Sequence, residues 1–114
     1  MRDRRERLLD MLEAIERIER YIAAGRAKFE KDELIQTWVV HHLQIVGEAA
    51  AKLGREFHEQ HPSIPWPQVV AMRNVLIHDY FGVDLEEVWR VVERDLSELK
   101  SKLERLADEV EKNE

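Results

Sequence analysis

Within eight residues of one apolar segment the chain places Arg73, Asn74, His78 and Tyr80, in the run RNVLIHDY. A cation, an amide, an imidazole and a phenol along about two helical turns are a tool set for cutting a phosphodiester. RNA carries its own nucleophile, the 2′-hydroxyl. A neutral imidazole such as His78 can take that proton, because histidine titrates near neutrality. Arg73 can grip the scissile phosphate through paired N–H donors and stabilise charge building on it. Asn74 can orient His78 or donate to a phosphate oxygen. A general base supplies on the order of 10²–10⁴ in rate, and this chemistry calls for neither metal nor cofactor.

Spacing alone decides nothing. With 12 arginines and 5 histidines, roughly one or two Arg-to-His pairs four to six residues apart arise by chance, and Arg55 with His61 is a second such pair. Surroundings separate them. Arg55 to His61 is read as a solvated loop among Glu56, His58, Glu59 and Gln60 before Pro62. Arg73 and His78 flank Val75, Leu76 and Ile77, where polar side chains cost stability unless paired or needed. On an ideal helix Asn74 and His78 share a face, while Arg73 and His78 stand about 140° apart. A distorted helix end before Gly82, or two copies of the helix facing across a dimer axis, would bring them together. The same residues would also serve as a polar network between helices, with Arg73 pairing a glutamate such as Glu48.

A chain of 114 residues can bury one core, and one domain over 1–114 is expected, with Glu111 to Glu114 fraying. With no cysteine, disulfides and cysteine-based zinc sites are excluded, which suits a cytoplasmic protein. No apolar run reaches the roughly 18 residues of a membrane span, and the opening MRDRRERLLD leads into an amphipathic pattern rather than a leader. Charged residues make up 37% and the formal charge is −6. Such a chain does not coat nucleic acid non-specifically, so action on RNA would need a local basic cleft or a basic partner.

The elements that must position the run are helical. Leu8, Leu12, Ile15, Ile18 and Ile22 recur at threes and fours from about Arg4 to Ala24, with Gly25 as a stop. A second segment runs from Asp32 to about Leu53, with the stripe Ile35, Trp38, Val39, His42, Val46, Ala49 and Leu53. Its small residues Gly47, Ala49, Ala50 and Ala51 would admit a close neighbour. Pro62 and Pro65 interrupt the stretch from Gly54 to Trp66. Pro67 suits the first turn of a third segment, which runs to about Tyr80. Asp84 followed by Glu87 reads as a capping box. It opens a fourth segment in which Leu85, Val88, Val92, Leu96, Leu99, Leu103, Leu106 and Val110 lie three or four apart. No segment alternates with period two. Four apolar stripes burying against one another give an all-α antiparallel bundle of four main helices.

The run RNVLIHDYFGVDLEEVW resembles the signature of the HepT-like toxins, a branch of the HEPN superfamily. The likeness extends in order through LLDMLEAIERIERYIA, DELIQTWVVHHLQIVGEAAAKLG, HPSIPWPQVVAMRN and VVERDLSELK, about residues 7 to 100. GEAA, PWPQVVAMRNVLIHDY and the following GVD are its most specific parts. The resemblance implies a homodimeric HEPN bundle and a metal-independent endoribonuclease. Arg73 and His78 match its catalytic pair, and Asn74 matches the polar residue after the arginine. It also implies a minimal nucleotidyltransferase antitoxin that blocks the toxin by attaching AMP to the tyrosine two residues past the histidine, here Tyr80. His41 and His42 depart from the pattern, since an arginine or another polar residue is expected at the first of them. Glu48, in GEAA, is a candidate partner for Arg73. Trp38, Trp66 and Trp89 read as core or dimer contacts. The alternative is a non-catalytic HEPN module that binds the nucleotidyltransferase, which the acidic charge favours.

Overall fold

The computed structural model describes residues 2–75 and 84–112, the side chains of Asn74 and Val75 excepted. Among these residues the protein is helical, without strands: α1 (Arg4–Ile22), α2 (Arg26–Lys31), α3 (Glu33–Leu53), α4 (Arg55–Gln60), α5 (Trp66–Val75), α6 (Leu85–Arg90), a π-helical turn (Val91–Asp95) and α7 (Leu96–Lys112). The all-α bundle expected from periodicity is what forms. No helix among the described residues is long and apolar enough to cross a membrane.

The centre of the bundle is α1 against α3, with α5 on α3 and α7 on α1. Helix α1 starts at Asp3, whose carboxylate accepts from the Glu6 N–H at 2.7 Å, satisfying one of the orphan donors of a helix start. It buries Leu8, Met11, Ala14, Ile15 and Ile18. Met11, rather than the half-buried Leu12, faces the core. Lys100 Nζ of α7 reaches Glu19 Oε1 of α1 at 2.8 Å. That hydrogen bond holds the lysine above its usual range.

Two short helices lie where no helix was expected. Gly25 follows the end of α1, its N–H donating to the Ile22 carbonyl at 2.9 Å, and with φ +97° it also opens α2, whose one buried side chain, Phe29, packs on Trp89 at 5.4 Å between ring centroids. The stretch read as a solvated loop contains α4. Phe57 is buried there, and His58 stacks on Trp66 at 4.5 Å while its Nε2 lies 2.8 Å from the Ala50 carbonyl. That carbonyl is among the last four of α3, which have no partner inside the helix. A single aromatic anchor in six residues leaves no periodicity to read.

The fourth expected helix is not continuous. Val88, Val92 and Leu96 are all buried although two successive steps of four residues drift roughly 80° off a regular helical face. The π turn winds more slowly per residue and keeps the three on one side. Asp84 caps α6 by accepting from the Glu87 N–H at 3.1 Å. The Glu87 carboxylate pairs instead with Arg90 at 2.6 Å, so only half of a capping box is made.

Asp32, expected inside the first turn of α3, is its N-cap and accepts from the N–H groups of Ile35 at 3.3 Å and Leu34 at 3.0 Å. The Ile35 bond, with that of Leu34 and nearby Lys28, holds its carboxyl below the usual range against the opposing effect of desolvation. A lowered folded-state value means stability that is present above the ordinary carboxylate pKa and lost as pH falls through the folded one. Asp32→Ala should therefore lower Tm at neutral pH, and its gap from wild type should close as pH drops below about 4. Thermal melts followed by circular dichroism across pH 2–7 (roughly the window in which a carboxylate titrates) test this. A gap unchanged in acid would show that the ionised carboxylate is not the stabilising group.

Candidate functional site

Arg73 sits in the last turn of α5, and its position is set by α3. A β-carbon added at Gly47 would stand 2.6 Å from the Arg73 backbone nitrogen, 2.9 Å from its Cβ and 3.1 Å from the Val70 carbonyl oxygen. Only a glycine lets the two backbones come this close. The small-residue stretch of α3 thus admits α5 at the turn that carries the arginine.

The neighbour of Gly47 on α3 then meets Arg73. Arg73 Nη1 lies 3.3 Å from Glu48 Oε2, with the two side chains 35% and 51% exposed. The other carboxylate oxygen of Glu48 is 3.9 Å from Lys52 Nζ, one turn further along α3. One carboxylate is therefore shared by two cations in a half-open position. Solvent screens such a pair and makes it weak, so an incoming anion can compete for the guanidinium.

Of the residues singled out for chemistry, Arg73 and Glu48 are brought together. His78 and Tyr80 lie outside the described residues, as does the side chain of Asn74, and Gly82 as the expected end of the third segment lies outside them too. The competing pair, Arg55 and His61, is accounted for structurally. Arg55 is exposed and pairs with Glu59 at 3.0 Å. His61 packs on Phe57 at 4.4 Å between centroids, and its carbonyl accepts from Trp66 Nε1 at 2.9 Å.

The adjacent histidines of α3 divide as their helical positions require. His41 is exposed. His42 is buried, only 3% exposed, with Nδ1 2.7 Å from the Trp38 carbonyl. A carbonyl only accepts, so Nδ1 carries the proton. His42 also borders an open hollow of about 460 Å³ between α1 and α3, shared with Arg7, Arg17, Glu48 and Lys52. Nothing in the spacing of the sequence marks the α1 arginines as neighbours of Glu48. Trp38 is outside the core cluster; it is half-buried and donates through Nε1 to the Arg17 carbonyl at 2.9 Å. Trp66 is buried and Trp89 half-buried. A second hollow of about 430 Å³, bordered by Leu43, Val69, Met72 and Leu99, is mainly apolar. Among the described residues the one cation that lines it, Lys102, is paired with Glu98 at 3.3 Å. Among the described residues, no group of three or more carboxylate, histidine or cysteine side chains is arranged to hold a metal ion.

The family model described as "Ribonuclease HepT-like" matches residues 11–106, a span that contains α3, α5 and the whole run from Arg73 to Tyr80. The chain belongs to this family. It is 40% identical over 108 residues to "Probable ribonuclease HepT" of Thermococcus cleftensis, covering 92% of this chain and 96% of that protein. It is 39% identical over 107 residues to "Gamma-glutamylcyclotransferase and putative RNase MJ0434" of Methanocaldococcus jannaschii, covering 90% of this chain. The chain spans about half of that second protein, 47% of its length. No solved structure matches the chain. The HepT-like assignment made from the motif residues therefore stands.

The close approach at Gly47 yields a stability test. Gly→Ala inside a helix ordinarily gains up to about 1 kcal/mol. Here the added methyl would push α5 away, and overpacking costs about 1–3 kcal/mol. Gly47→Ala should be no more stable than wild type and Gly47→Val clearly less stable, read by urea unfolding. A Gly47→Ala protein stabilised by the full helix-propensity gain would show that α5 does not rest on α3 here.

Proposed function

We propose that this HepT-like protein is a metal-independent endoribonuclease and the toxin of a toxin–antitoxin pair. The observation that carries the reading is Arg73, held against α3 at a glycine-only contact with its guanidinium half-open beside Glu48, in a chain whose family match spans the entire motif. Relatives named as ribonucleases support the substrate class.

In the proposed reaction His78 takes the proton from a 2′-hydroxyl. The 2′-oxygen attacks the adjacent phosphorus, and the bond to the 5′-oxygen breaks. The products are a 2′,3′-cyclic phosphate and a 5′-hydroxyl, the leaving oxygen taking up a proton. Arg73 binds the non-bridging oxygens as charge builds on them, released from Glu48, which keeps Lys52. Asn74 supports the arrangement by orienting His78 or bonding the phosphate. A homodimer would bring the 140° separation of Arg73 and His78 into one composite cleft. A minimal nucleotidyltransferase would silence the toxin by attaching AMP to Tyr80, since bulk and negative charge there oppose an RNA phosphate. Cytoplasmic RNA is the substrate this reading requires.

Induced expression should arrest growth and generate RNA ends bearing 2′,3′-cyclic phosphate. His78→Ala should lose both, with cleavage by the purified protein falling on the order of 10²–10⁴. Arrest undiminished in His78→Ala would remove His78 from the mechanism and favour a module that only binds its nucleotidyltransferase. Co-expression with that partner should raise the intact mass by one AMP in wild type and not in Tyr80→Phe.

A further inference from the structure

We propose that the face of α1 and α3 running from Tyr21 to Glu48 is the track for a single strand of RNA approaching Arg73. This rests on the ribonuclease reading and adds where the substrate lies and in which form. The track begins as an aromatic row: Tyr21 meets Trp38 edge-on at 5.1 Å, and Trp38 meets His42 at 4.4 Å. Tyr21 is exposed and Trp38 half-buried. The Trp38 Nε1 bond to Arg17 fixes the indole against α1. Preset aromatic rings of this kind are platforms on which unpaired bases stack without regard to sequence.

Beyond the exposed end of this row the buried His42 lines the hollow between α1 and α3. Its lining holds four of the chain's 18 basic side chains and three of its 24 acidic ones, so a chain of charge −6 is locally basic here. Arg17 pairs with Glu13 at 2.8 Å, both side chains exposed, so a phosphate can take over that cation; Arg2 is held by two hydrogen bonds to Asp10 and one to Glu6. Arg7 makes no ion pair among the described residues. The hollow ends at Glu48, the residue that also holds Arg73. Aromatic platform, cations and the proposed catalytic arginine are thereby continuous over one surface. A duplex hides its base faces and cannot use the first of these parts, so the strand is single.

The test is fluorescence anisotropy of a labelled oligoribonucleotide, single-stranded and as a duplex, on His78→Ala protein, so that cleavage does not intervene. The double variant Arg7→Glu with Arg17→Glu should weaken single-strand binding roughly tenfold or more at 0.1 M salt and flatten its salt dependence. Trp38→Leu should weaken it about tenfold. Lys31→Glu, outside the hollow, should bind like the parent. The double arginine variant keeps the test decisive if Trp38→Leu does not fold. Binding by the arginine double variant equal to that of Lys31→Glu, equal affinity for duplex, or no binding by the parent overturns the track. RNA cleavage by otherwise wild-type protein with an unchanged KM in the double variant would leave the nuclease reading standing while the track falls. Binding through Arg7 and Arg17 without any cleavage by wild type would leave the track standing while the nuclease reading falls.

Discussion

The contact between α3 and α5 at Gly47 is the constraint on which the site depends. It is a backbone-to-backbone approach: a β-carbon there would meet the Arg73 nitrogen at 2.6 Å. Helices that touch through side chains can shift by letting those side chains change rotamer. Helices that touch through backbone cannot, because no flexible group lies between them. The position of the Arg73 Cα is therefore set by the same packing that holds the bundle together, and only its side chain remains free to choose partners. A site whose supporting element is fixed by the core loses little on binding to ordering it.

That choice of partners is governed by Glu48. Its two oxygens face Arg73 and Lys52, so the guanidinium is oriented in the absence of any ligand. The pair is half-open, and its attraction is screened. A fully buried pair would resist an incoming phosphate, because separating it strands a charge away from water. Partial exposure avoids that cost.

The histidines illustrate how environment assigns roles to one residue type. His42 is committed to the Trp38 carbonyl, and His58 to the Ala50 carbonyl and the Trp66 ring. His61 is committed to Phe57. Each is held by a hydrogen bond or a ring contact within the packing of the fold. His41 is exposed and meets the His42 ring edge-on at 5.1 Å.

Much of the architecture was legible in the chain itself. The apolar positions of α1, α3 and α7 recur every three or four residues, and that rhythm arises from helix geometry and burial alone. Glycine beside alanines in α3 announced a close neighbour, and Asp84 announced a cap. Arg73 and Glu48, 25 residues apart, could be named as candidates from residue type. Other features had no periodic signal. Helices α2 and α4 each hang on one phenylalanine, and the π turn answers a local misfit between Val88, Val92 and Leu96. The meeting of Arg7 and Arg17 with His42 and Glu48 joins elements far apart in sequence. Local rhythm follows from the chain because each turn sees only its neighbours a few residues away. Which helix faces which, and so which charges share one hollow, was decided by tertiary packing, where Gly47 lets α5 in and the α1 stripe seats its arginines beside α3.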